Sequence, residues 1–228
     1  MIDAITIVIA AAIGYLLGSF PSAYLAGRLG KGIDIRQVGS RNMGAMNVYY
    51  EVGLGEAVLV AVADLGKGVV AILLVRCLVQ WLSGVTPITP TISFDILRDG
   101  IAGVAAVLGH VFPVFLRFRG GKGGATAIGI LIFLLPKAVP FLAVVFAVAL
   151  LITRNPTFSY SLLLIVFPFV AGFIYHDRYG QPLSLVFYSI GLGVFLGLQY
   201  IPRLREMHNK AGGDWRRVIR RRSLKDRL

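Results

Sequence analysis

Apolar residues in this chain run in stretches of about twenty, separated by short polar segments. Runs of that length cross a bilayer as helices. The first covers residues 5–25 and is interrupted by Gly18-Ser19-Phe20-Pro21. A proline inside a span frees backbone carbonyls that neighbouring groups must satisfy. A polar loop at 27–56 precedes a second span at 57–81. Residues 83–99 are weakly polar and carry turn signals at Pro87 and Pro90. A third span, 100–116, leads into a glycine-rich loop. Residues 125–152 are almost wholly apolar, but Pro136-Lys137 and Pro140 divide them. A span at 158–175, a turn at 176–182 and a last span at 183–201 follow, and Pro202 opens a basic tail. No internal repeat is visible.

Charge decides whether residues 125–152 cross once or twice. If the chain turns back at Pro136-Lys137, there are seven spans and the chain ends lie on opposite sides. With the tail inside, Arg28, Lys31, Arg36, Arg41, Arg117, Arg119, Lys122 and Arg154 are inside too, and only Arg76, Arg98, Lys137 and Arg178 are outside. That satisfies the positive-inside rule. A single crossing would put the tail and the glycine loop on opposite faces. The expected fold is therefore all-α: a polytopic membrane protein of seven transmembrane helices, two of them short and tilted or partly sheathed in protein. Residues 1–202 form the embedded domain and 203–228 a basic cytoplasmic tail.

Composition agrees with that reading: 57% of residues are hydrophobic and 15% charged, where soluble domains carry about 25% charged. Residues 2–17 lack a basic n-region and run into polar sequence, so they read as a first span rather than a leader. Cys77 is the single cysteine, which excludes an intrachain disulfide, and His110, His176 and His208 share no ligand spacing. No metal or cofactor is expected. The net charge of +12 is heaviest in the tail, at Arg216, Arg217, Arg220, Arg221, Arg222, Lys225 and Arg227. Beside a span, such a cluster meets anionic lipid headgroups more simply than nucleic acid.

Three polar stretches carry candidate chemistry. Residues 109–126 hold Gly120-Gly121-Lys122-Gly123-Gly124, with Arg117 and Arg119 just upstream. Glycines let N–H groups approach an oxyanion, a lysine adds charge, and a following helix N-terminus adds its dipole. The nucleotide-binding pattern is absent, since Gly123 follows the lysine. The plainer reading is a flexible basic turn. Residues 34–48 gather Ser40, Asn42, Asn47, Arg36 and Arg41, a set suited to a polar anion or, more plainly, to capping a helix. Asp64 and Lys67 share a helix face, as a functional pair or a structural one.

Together these stretches resemble the acyl-phosphate-dependent glycerol-3-phosphate acyltransferases of bacterial membranes. The matching pieces are Gly18-Ser19-Phe20-Pro21, then Asp34-Ile35-Arg36 with Gly39 to Asn47, then Asp64-Leu65-Gly66-Lys67-Gly68, Gly109-His110 through Thr126, and Thr153-Arg154. The resemblance implies seven membrane helices with the motifs on the cytoplasmic face of the plasma membrane, and a cytoplasmic C-terminus. It implies that the 1-hydroxyl of glycerol 3-phosphate attacks the carbonyl of an acyl phosphate, giving lysophosphatidic acid and phosphate in phospholipid synthesis. An acyl phosphate is already activated, so no nucleophilic triad is needed. By the same resemblance Ser40 and Lys122 are catalytic. Arg36, Asn42, Asn47, Lys67, His110, Gly120, Gly121, Gly123, Gly124, Arg154 and Thr157 line the substrate site.

The chain departs from the family's first motif, G-S-G-N-I-G-A-T-N-V-x-R. Arg41 replaces a glycine, Met46 the threonine, and Tyr50 the arginine. In the third motif Gly197 and Tyr200 stand at the histidine and asparagine, with His208 and Asn209 out of phase. The alternatives are therefore a site rebuilt with Arg41 or Arg154, an acyltransferase with another acceptor, or a non-catalytic membrane protein that binds or carries phosphates or lipids.

Overall fold

The computed structural model describes residues 2–82 and 95–220. The expected turn at Pro87 and Pro90, and Arg221, Arg222, Lys225 and Arg227 of the tail, lie outside the described residues. Every regular element among those described is helical, in two compact units, Met1–Leu134 and Leu135–Leu228.

The first unit contains α1 (Ile2–Gly18), α2 (Ser22–Lys31), α3 (Ala45–Glu51), α4 (Leu54–Leu82), α5 (Ile101–Val111) and α6 (Gly124–Leu134). The second contains α7 (Val139–Thr153), α8 (Pro156–Val170), α9 (Asp177–Tyr179), α10 (Leu183–Lys210) and α11 (Trp215–Ile219). Among the described residues six helical stretches are long and apolar enough to cross a membrane: Ala4–Lys31, Leu54–Leu82, Arg98–Leu116, Pro136–Thr153, Pro156–His176 and Leu183–Lys210. The seventh expected span is α6, an apolar helix of 11 residues. At 1.5 Å per residue it reaches about half of a hydrocarbon core of about 30 Å. Its residues from Thr126 to Leu131 are all buried, so protein rather than lipid surrounds it. A 3-10 segment, Pro136–Ala138, breaks the apolar run between α6 and α7.

Lipid tails are as apolar as leucine, so membrane helices associate by close packing rather than by the hydrophobic effect, and small residues decide where. In the first unit Gly14 lies against Ala102 and Gly18 against Ala106, which sets α1 beside α5 in parallel. Gly129 of α6 abuts the Leu65 carbonyl of α4, and Gly68 abuts Thr126 and Ile130. A Cβ at Gly18 or Gly129 would enter a neighbouring backbone. At the proline break, residues 19–21, the Phe20 carbonyl accepts the Ser22 N–H at 3.1 Å and also faces the Lys67 ammonium at 3.5 Å.

In the second unit the Lys137 N–H donates to the Tyr175 hydroxyl at 2.6 Å, joining the start of α7 to the end of the α8 stretch. At the other end Asn155 caps α8 and donates to the Val218 carbonyl of α11 at 3.1 Å. Lys137 and α11 thus occupy opposite ends of this unit. The helix expected to end at Pro202 continues to Lys210. Met207 and Ala211, one turn apart, pack with Val218, and Glu206 binds both Arg203 at 2.7 Å and Lys210 at 2.6 Å. Those contacts offset an exposed proline that removes one helix bond.

Candidate active site

Four helices of the first unit bring polar side chains to one buried point. Asp64 and Lys67, three apart on α4, pair at 3.0 Å. Ser22, the first residue of α2, donates its hydroxyl to Asp64 Oδ1 at 2.7 Å. His110 at the end of α5 places Nδ1 3.5 Å from the same oxygen, and the Thr126 hydroxyl of α6 lies 3.4 Å from that nitrogen. All five side chains are buried. A buried ammonium and carboxylate persist only when paired and hydrogen-bonded, which this arrangement provides.

The glycine loop closes over this cluster. The N–H groups of Gly120 and Gly121 donate to the carbonyls of Val111 and His110 at 3.1 and 3.0 Å, so they fold the loop back onto α5. A Cβ at Gly121 would collide with His110 Nε2 and the Met43 carbonyl, which places that nitrogen at the loop and the loop against the first polar stretch. Gly123, at φ +80°, turns the chain into α6. The N–H groups of Gly124, Ala125 and Thr126 then head α6, where no carbonyl of the helix can bond them. Lys122 is half-buried, and Arg117 and Arg119 are exposed. The N–H groups that no carbonyl of the loop or helix takes up are thus those at the start of α6, not those of Gly120 and Gly121.

In the first polar stretch Asn47 is buried, and its amide holds the loop itself. It donates to the carbonyls of Ile35 at 3.0 Å and Val38 at 3.1 Å and accepts from the Ser40 N–H at 2.9 Å. Ser40 is left exposed at the tip. Neither Ser40 nor Asn42 caps a helix, since Gly44 caps α3 without a side-chain bond. Arg36 is taken up by Asp34, with Nε and Nη2 on its two oxygens at 2.9 and 2.7 Å, and its Nη1 reaches the Leu116 carbonyl at 3.4 Å. That bidentate bond holds the Asp34 carboxyl below its usual pKa and raises the Arg36 guanidinium. Arg36 thus joins the first polar stretch to the turn after α5.

Arg154 and Thr157 belong to the second unit. Arg154 ends α7 in a left-handed conformation, φ +51°, and Thr157 stands in the first turn of α8. The departures of the third motif also lie there: the Tyr200 hydroxyl bonds that of Tyr160 at 3.0 Å, Gly197 faces open space, and His208 stacks on Trp215. Sequence reasoning missed Ser22 and gave Thr126 no role. A hydroxyl directly after the span-breaking Pro21, and one in the first turn after the glycines, are the signals that mark them.

Beside the buried cluster runs an apolar groove of about 500 Å³. Leu16, Leu17 and Phe20, Ala63 and Val70, and Phe115 wall it, and Lys67 reaches it. Among the described residues no group of histidine, cysteine, aspartate and glutamate could hold a metal ion.

The family described as glycerol-3-phosphate acyltransferase matches residues 8–210. Glycerol-3-phosphate acyltransferase 2 of Dehalococcoides mccartyi is 43% identical over 98% of both chains. The glycerol-3-phosphate acyltransferase of Bacillus subtilis is 36% identical over 78% of this chain and 82% of its own. Among solved structures, PlsY, an integral membrane glycerol 3-phosphate acyltransferase crystallised in its glycerol 3-phosphate form, superposes with a TM-score of 0.71. It is 28% identical, over 91% of this chain and 94% of that one.

Proposed function

The chain belongs to the glycerol-3-phosphate acyltransferase family, and on that premise we propose that it acylates glycerol 3-phosphate from an acyl phosphate at the loop end of its first unit. It is a multi-pass membrane acyltransferase of phospholipid synthesis. In this reading the 1-hydroxyl of glycerol 3-phosphate attacks the acyl carbonyl carbon. The bond from that carbon to the phosphate oxygen breaks, and the hydroxyl proton ends on the departing phosphate. Lysophosphatidic acid remains. The observation that carries the reading is the glycine loop seated over the Asp64–Lys67–His110 cluster, with the unbonded N–H groups at the start of α6 beside Lys122.

Those N–H groups and Lys122 hold the donor phosphate, and their charge favours its departure. His110 presents Nε2 to the loop, while Asp64 and Thr126 fix its ring from the other side. The Ser40 hydroxyl lies at the reacting centre, on a loop that Asn47 keeps in shape. The apolar groove takes the acyl chain, so its head comes to Lys67. The basic tail faces anionic headgroups on the cytoplasmic leaflet, at roughly 1 kcal/mol per cation near the surface.

The test is purified protein in lipid with acyl phosphate, with and without glycerol 3-phosphate, following phosphate release and lipid product. Product that requires both substrates is the expected result. Phosphate release that ignores glycerol 3-phosphate would sink the reading. For the orientation, cysteines placed at Lys137 and Arg216 should label from opposite membrane faces.

A further inference from the structure

Ser40 stands between two residues of left-handed backbone, Gly39 at φ +58° and Arg41 at φ +57°. A glycine adopts that conformation freely. An L-residue does so against steric resistance from its Cβ, and persists there when something else requires it. No side-chain contact among the described residues holds Arg41 there; its backbone N–H donates to the Val38 carbonyl at 3.0 Å. It is exposed, and among the described residues its side chain makes no hydrogen bond, ion pair or ring contact. The neighbouring cations of α2 and of the first polar stretch are tied down. Arg36 is bound by Asp34. Lys31 donates to the Glu51 carbonyl at 2.9 Å, and Arg28 to Tyr24 and Gly32. Arg41 is thus the cation of the first polar stretch that remains available to a ligand, and it is adjacent to Ser40.

The sequence shows the same thing from another side. Position 41 is where the family motif has glycine, the residue this backbone favours, and position 50 is where it has arginine. Here Tyr50 sits against the Tyr49 ring at 5.2 Å. One guanidinium is absent and one has been added within ten residues, in a single loop and the helix that follows it.

We propose that Arg41 is the ligand for the acceptor phosphate in this chain. Its planar fork binds the phosphate of glycerol 3-phosphate beside Ser40, in place of the arginine replaced by Tyr50. The donor phosphate is left to Lys122 and the α6 N-terminus. This rests on the reading above that glycerol 3-phosphate is the acceptor and Ser40 lies at the centre.

Steady-state kinetics of the purified chain in lipid, varying each substrate with the other saturating, test it. Arg41→Gly should raise KM for glycerol 3-phosphate about 10- to 150-fold, the loss of one charge-assisted contact. The donor KM should hold, and Tm should hold or rise, because glycine suits φ +57°. Arg41→Lys, which keeps the charge without the fork, should fall between. Tyr50→Arg added to Arg41→Gly should bring KM back down. An unchanged acceptor KM in Arg41→Gly, an equal rise in both KM values, or a fall in Tm with loss of both activities would overturn the proposal. A wild-type chain that makes no product from acyl phosphate and glycerol 3-phosphate would instead overturn the functional reading itself.

Discussion

Two carboxylates are buried in the spans of the first unit, and they are partnered in opposite ways. Asp99 receives guanidinium groups on both oxygens: Arg76 Nε at 3.0 Å and Nη2 at 2.5 Å, and Arg98 Nε at 2.9 Å. Arg76 also lies over the Phe133 ring. Asp64 receives an ammonium, an imidazole and a hydroxyl, all on one oxygen. A guanidinium keeps its proton and its fork fixes direction, so the Asp99 set is a brace between α4 and the start of α5. An ammonium on a flexible stem, an imidazole and a hydroxyl rotate and exchange protons. The second set lies under a glycine loop and the first does not. The difference between them is in the cations: arginines where the bundle must hold, lysine and histidine at the proposed substrate site.

The largest expected effect separates the two. Asp64→Ala strands the buried Lys67 and Asp99→Ala the partly buried Arg76 and Arg98, and removing one partner of a buried pair costs about 3–5 kcal/mol. Both should lower Tm steeply. Specific activity of the folded fraction should disappear for Asp64→Ala and persist for Asp99→Ala. Equal activity losses would erase the distinction between brace and site.

Next in size is the lysine of the loop. Lys122→Met should lower kcat/KM about 10- to 150-fold at unchanged Tm, since a charge-assisted contact is worth about 1.5–3 kcal/mol. Arg98→Met should do the reverse, lowering Tm and leaving kcat/KM in place. If Lys122→Met binds a non-hydrolysable acyl-phosphate analogue as the wild type does, the loop is only a turn.

The Asp64–Lys67 pair was legible because it is local: residues three apart on a helix share a face. Ser22 and His110 meet Asp64 across 42 and 46 positions, and no periodicity encodes that meeting. It is set by glycines such as Gly109, which packs against Tyr15 and brings α5 close to α1. Gly109 and Gly68 read in the sequence as parts of motifs, and their structural work is close packing. Spans were legible from apolar length, and the break between α6 and α7 from Pro136 and Pro140. The run of α10 through Pro202 was not, because the Met207–Ala211–Val218 contact that holds it depends on α11 folding back. Arg36 shows the limit of charge counting. The sequence places a cation in the loop, and the structure shows Asp34, two residues earlier, already occupying it.

Two glycines give a third, smaller contrast. Gly121→Ala would push a methyl toward His110 Nε2, and Gly129→Ala toward the Leu65 carbonyl. Overpacking costs about 1–3 kcal/mol at either place. At Gly121 it should appear mainly in kcat, about tenfold or more, because His110 shifts away from Asp64. At Gly129 it should appear in Tm alone. A kcat change of the same size in Gly129→Ala would mean that the α4–α6 contact, not the loop, sets the rate.

The smallest effect concerns Asp34, a third carboxylate, paired with arginine but outside the spans. Its bidentate bond to Arg36 holds its folded pKa below the unfolded value. A depressed carboxylate pKa means that the unfolded chain binds protons first as pH falls. The pair's contribution is therefore complete above the unfolded pKa, about 4. It declines below that and is lost once pH passes under the depressed folded value. Asp34→Asn removes it at every pH. Measured from pH 7 down to pH 3 in the same lipid, the gap in Tm between wild type and Asp34→Asn should be constant to about pH 4 and narrow below it. Because Arg36 also reaches the Leu116 carbonyl, the variant should retain part of the link between the two loops and lose little activity at pH 7. A gap that widens in acid would mean the bond does not stabilise the charged form, and Arg36 would then be available to substrate after all.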